Sequence, residues 1–143
     1  TIPLVYGMGA LGGVAAMRWK QSMNENAKVP AFWNQYPELD HNEICGWGQH
    51  GDVTRQVVSI VELRHAHEHA RLGRRVDVTR DIIAEAVHQV LRVEAAGDGR
   101  LAQLLDLMYL GDWVSYYLTI LYQTNPTPVK VIDYLKKRLS ETR

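Results

Sequence analysis

The chain has 143 residues, 46% hydrophobic and 22% charged, with sixteen basic and sixteen acidic side chains. That length and balance suit one globular domain with a proper core, and a formal net charge of zero argues against electrostatic capture of nucleic acid or of an anionic membrane. A single cysteine, Cys45, excludes an internal disulfide and fits a reducing cytoplasm, and no apolar run approaches the ~20 residues of a membrane span.

The first residues lack the basic start and cleavage pattern of a signal peptide. Ile2-Pro3-Leu4-Val5-Tyr6-Gly7 instead reads as a buried strand closed by glycine, entered abruptly, as if cut from something longer. Gly7-Met8-Gly9-Ala10-Leu11-Gly12 follows, and a helical pattern runs over 14–23. The Gly-x-Gly-x-x-Gly spacing between strand and helix is the context of a dinucleotide fingerprint. The same glycines serve a tight turn and close helix packing. No acidic residue stands clearly at the end of a second strand to hold a ribose, which favours the structural reading.

The helix runs into Asn24-Glu25-Asn26-Ala27-Lys28. Asparagine stops helices well, so Glu25 is expected at or just past a helix C-terminus. The macrodipole there works against a negative charge, a setting useful to a general base. A solvated helix end is the plainer reading, and the residue types alone leave both open. A second strand is expected over 29–34, entered through Pro30. Asp40-His41-Asn42-Glu43 has the form of a capping box, which would set His41 at a first helical position, held neutral by the positive helix end. A neutral imidazole can take a proton and return it; a surface residue at a helix start is the alternative. Cys45 lies beside Ile44 and Trp47, which favours a core position over a reactive thiol.

A glycine-rich connection over 46–52 leads to a third strand centred on Val57-Val58-Ser59-Ile60-Val61. Arg64-His65-Ala66-His67-Glu68-His69 is the densest histidine cluster. Its spacings can serve zinc or manganese, but Arg64, Arg71, Arg74 and Arg75 repel a cation, and a polar corner is the preferred reading. The basic patch from Arg64 to Arg75 reads as a solvated helix face, a helix restarts at Asp77 and runs to about Val87, and a fourth strand over 87–94, a turn at Gly97-Asp98-Gly99 and a long helix from Arg100 to about Tyr122 follow. The apolar positions of that helix circle widely, so it is either a core helix or one that packs against a missing half or a second subunit. A turn over 123–128 precedes a final amphipathic helix over 129–139. Alternating strands and helices imply a mainly parallel sheet in a three-layer α/β/α sandwich, with 1–143 as one domain.

The words Asn24-Glu25-Asn26 and Pro37-Glu38-Leu39-Asp40-His41-Asn42-Glu43-Ile44 resemble those of the bacterial and archaeal phosphoglucose/phosphomannose isomerases, enzymes built from two sugar isomerase (SIS) domains. The resemblance covers only the C-terminal half of such an enzyme. It implies that Glu25 abstracts the proton next to the sugar carbonyl and that His41 assists ring opening from the other subunit of a homodimer. It also implies a lysine near the ring oxygen, best matched by Lys130 with Lys136 behind it, and a threonine tied to acceptance of both epimers, Thr124 or Thr127. No metal or cofactor is implied. The family grips the substrate phosphate with a Ser/Thr-rich loop of the N-terminal half and stabilises the enediol with an upstream arginine, and this chain has neither. Alone it is expected to bind sugar phosphate weakly and turn it over poorly. A SIS-type binding or regulatory module is the second reading.

Overall fold

The computed structural model describes residues 1–141. In chain order it contains β1 (Ile2–Met8), α1 (Gly9–Glu25), β2 (Phe32–Tyr36), α2 (Glu43–Gly46), α3 (Gly51–Val57), β3 (Val58–Arg64), α4 (Ala70–Ile83), β4 (Gln89–Glu94), α5 (Arg100–Leu121) and α6 (Lys130–Ser140). Short 3-10 turns lie at Glu38–Asp40 and Ala84–Ala86. All strand pairs are parallel, in the order β2-β1-β3-β4.

Side chains of a strand alternate between faces, and the two cores follow that rule. Val5, Val61 and Leu63 meet Ala15, Ala16 and Trp19 of α1 and Leu107 of α5. Tyr6, Met8 and Ile60 point the other way, to Val76 and Ile83 of α4. Helices thus cover both faces, giving the expected three layers. Small residues let α1 come close to the sheet: a Cβ on Gly7 would lie 2.0 Å from the Gly12 carbonyl oxygen. Where α1 crosses α5, a Cβ on Gly111 would lie 2.4 Å from the Trp19 ring, and the indole Nε1 donates to the Leu107 carbonyl at 2.6 Å.

The structure corrects several expectations. Helix α1 begins at Gly9, not near residue 14, because the glycines belong to the helix that packs on β1. Strand β2 begins at Phe32: residues before it finish the end of α1, with the Val29 N–H donating to the Met23 carbonyl, and Pro30 has no N–H for a ladder. The supposed capping box is not formed. Asp40 closes a 3-10 turn, and its carboxylate accepts from the Thr79 hydroxyl at 2.7 Å and pairs with Arg75 at 3.4 Å. With its oxygens drawn to α4, Asp40 cannot cap a helix. Asn42 does so instead, its side chain accepting from the Glu43 N–H. His41 therefore follows a 3-10 turn rather than opening a helix. The glycine-rich connection joins the last residue of one short helix, α2, to the first turn of another, α3, and α4 runs unbroken from Ala70 to Ile83 instead of restarting at Asp77. Cys45 is exposed on α2, not in the core.

Candidate active site

Helix α1 leaves the end of β1 and returns to the start of β2, so Glu25, its last residue, sits at the edge where the parallel strands begin. The two asparagines flanking Glu25 are both engaged. Asn24 donates to the Val29 carbonyl at 2.8 Å, and Asn26 donates to the Ser115 hydroxyl at 2.9 Å. Ser115 is fully buried in α5. The asparagines thus hold the helix end while Glu25 stays exposed on the wall of a cavity of about 770 Å³.

The opposite wall of that cavity comes from the connection after α5 and the first turn of α6, with Asn125, Pro128 and Lys130. Lys130 is the first residue of α6, so Glu25 and Lys130, far apart in sequence, face one space. Lys20 and Lys28 line it too. The Lys28 ammonium donates to the Glu25 carbonyl at 2.6 Å and to the Pro126 carbonyl at 3.1 Å, tying the two walls together. Its backbone takes φ 58°, a left-handed geometry that a helix terminator adopts. Sequence reasoning gave Lys28 no role; its position in the same polar cluster as Glu25 was the only signal. Thr124 and Thr127 belong to the connection but do not line the cavity. The Thr124 N–H donates to the Thr119 carbonyl and the Thr127 N–H to the Asn125 side chain. Lys136 is exposed further along α6 and does not line the cavity either.

His41 is exposed beyond the end of β2, at the opposite edge of the sheet. Seventeen residues of α1 at ~1.5 Å per residue span roughly 25 Å, so one chain does not bring His41 to Glu25. The turn carrying His41 is held firmly. Asp40 is tied to α4, and the Glu43 carboxylate accepts from the Tyr6 hydroxyl and the Asn34 amide. Burial, and then the hydrogen bond to Glu43 and its charge, pushes the Tyr6 phenol far up, so it remains a donor.

The histidine cluster is a corner at the end of β3. Glu68 accepts a bidentate pair from Arg64, Nε to Oε1 at 3.0 Å and Nη2 to Oε2 at 2.7 Å, and a bond from the His65 N–H. Among the described residues no group of three or more His, Cys, Asp or Glu side chains is gathered to hold a metal ion.

The description of the bacterial phospho-glucose isomerase C-terminal SIS domain matches residues 1–139. The chain belongs to that family. The SIS domain is 42% identical over 142 residues to a bifunctional phosphoglucose/phosphomannose isomerase of Caldicellulosiruptor bescii, covering 99% of this chain and 42% of that protein. A protein of the same description from Aquifex aeolicus is 35% identical, with 98% and 43% covered. The SIS domain therefore spans less than half the length of these relatives. Its fold also matches a crystal structure of a glucose-6-phosphate isomerase like protein from Thermus thermophilus, with a TM-score of 0.70 at 21% identity, over 95% of this chain and 42% of that one.

Proposed function

We propose that this SIS domain supplies the proton-transfer residues of an aldose–ketose isomerase acting on glucose 6-phosphate, mannose 6-phosphate and fructose 6-phosphate. The observation that carries the reading is the convergence of Glu25 and Lys130 on one cavity in a domain of this family. Isomerisation moves one proton between C1 and C2 through an enediol, while charge develops on the adjacent oxygens. A carboxylate suits the carbon proton, and an imidazole or ammonium suits the oxygens. Glu25 is the base, Lys130 lies near the ring oxygen, and His41 opens the ring. Thr124 or Thr127 bears on epimer acceptance.

Since His41 and Glu25 lie at opposite edges of the sheet, His41 serves the Glu25 cavity of a second copy, and the working unit is a homodimer. The substrate phosphate is gripped by an N-terminal SIS domain of the same enzyme, which functions in the cytoplasm. The broad apolar outer face of α5, with Leu105, Tyr109, Trp113 and Tyr117 exposed, is the kind of surface that such neighbours cover.

The test is to assay fructose 6-phosphate conversion to glucose 6-phosphate and to mannose 6-phosphate with the intact protein and its Glu25→Gln variant. A loss on the order of a thousandfold supports Glu25 as the base, and the product ratio gives the epimer preference. An inactive wild type, or an unimpaired variant, overturns the catalytic reading in favour of a sugar-phosphate-binding module.

A further inference from the structure

A second cavity, of about 610 Å³, lies at the other edge of the sheet from Glu25. It opens where β1 and β3 end side by side. The chain passes from β1 to β2 on one side and to β3 on the other, so this is the switch point at which open parallel sheets form ligand crevices. Three helices begin on its wall: α1 at Gly9, α4 after His69, and α5 at Arg100. Each helix start carries a partial positive charge and presents N–H groups, although at α4 the Arg71 N–H already donates to His69 Nδ1 at 3.2 Å. None of the three first turns carries an acidic side chain, and neither α1 nor α5 has a side-chain cap. Arg100 and His67 add donors on the same wall. The one carboxylate present, Glu68, is neutralised by its bidentate pairing with Arg64.

His65 gives the independent sign of a ligand. Only 8% exposed, it lines the cavity. Its Nε2 lies 3.0 Å from the Met8 carbonyl oxygen; a carbonyl only accepts, so Nε2 carries the proton and Nδ1 of the neutral ring is an acceptor. That Nδ1 is buried and has no partner in the protein. The crevice therefore offers many donors to an anion and one acceptor to a hydroxyl. A phosphate monoester meets both demands, because near neutral pH part of it keeps one O–H. We propose that this crevice binds a small phosphate-bearing molecule through the starts of α1, α4 and α5, Arg100 and His65, at a site separate from the Glu25 cavity.

The inference is independent of the catalytic reading. Inorganic phosphate is titrated into the intact protein labelled with nitrogen-15 at histidine, and the imidazole resonances are followed, with His65→Phe and His67→Phe providing assignments. Saturable shifts of the His65 signals, weakened about tenfold or more in Arg100→Gln, support the site. Sulfate, which has no proton to give at neutral pH, is expected to bind more weakly. His65 signals that stay unmoved, that respond equally in Arg100→Gln, or that respond equally to sulfate overturn the proposal. Turnover measured on the same samples separates the two readings, because Arg100 takes no part in the catalytic cavity.

Discussion

Glu62 is the least expected side chain in the core. It lies on the central strand β3, is 1% exposed, and neither carboxylate oxygen has a hydrogen-bond partner among the described residues. Burial raises its pKa, against the opposing pull of Arg80, Arg64 and Arg92; the Arg80 guanidinium is 3.9 Å away. The folded protein thus keeps this proton to higher pH than the unfolded chain does. Stability contributed by the protonated form is present at low pH and is lost as pH rises from the ordinary carboxylate range through the raised value. Glu62→Gln is expected to melt higher than wild type, by a margin that grows in thermal melts as pH rises above the ordinary carboxylate range. A margin that does not change with pH removes this account. Nothing in the sequence signalled Glu62, because Val-Glu-Leu reads as an alternating strand with its polar residue facing water. The place of Glu25 at a helix end was legible because helix-stopping asparagines surround it. The setting of His41 was misread: the capping pattern is common, and only the fold reveals that Thr79 and Arg75 occupy Asp40.

At the scale of elements, the close crossing of α1 over β1 and α5 depends on absent side chains. Gly111 leaves the space that the Trp19 ring fills. Gly111→Ala adds only a methyl group, and alanine favours helix, yet overpacking a tight contact typically costs ~1–3 kcal/mol. The expected outcome is a net loss of stability in urea denaturation, and a gain would show that Trp19 can move aside. Strand and helix periodicity made the four strands, α1, α5 and α6 readable to within a few residues. The pieces missed were α2 and α3, of four and seven residues. Such short helices have too few turns to show a period, and glycines within them read as loop. Helix α5 explains why its apolar circle was ambiguous: Gln103, Leu107, Gly111, Ser115 and Thr119 face inward, so its small and polar stripe is buried while many of its large apolar residues face out.

At the scale of the molecule, placing Glu25 and His41 at opposite edges gives a quantitative expectation for the proposed dimer. Glu25→Gln and His41→Ala chains should each be inactive alone. Subunits mixed and exchanged form half heterodimers, each with one site holding both native residues, so about a quarter of wild-type activity should return. Mixtures that recover nothing after demonstrated exchange would remove the shared site. Helix α6 presents Val131, Tyr134, Leu135 and Leu139 to the outside, an amphipathic face that the sequence pattern foretold without its partner. Which surface meets it was not legible, because hydrophobic spacing records that a face is covered and not by what.

The Gly7–Gly12 contact also makes α1 a lever. The helix is gripped where its backbone presses on β1, and Glu25 stands thirteen residues beyond that fulcrum, roughly 20 Å along the axis. A tilt of about 3° at the grip would carry the carboxylate through ~1 Å, the scale of misplacement that can cost a hundredfold in rate. The angular stiffness of one helix, to which the glycine grip at one end and the asparagine bonds at the other both contribute, would then set how accurately this chain aims the proposed acid–base group.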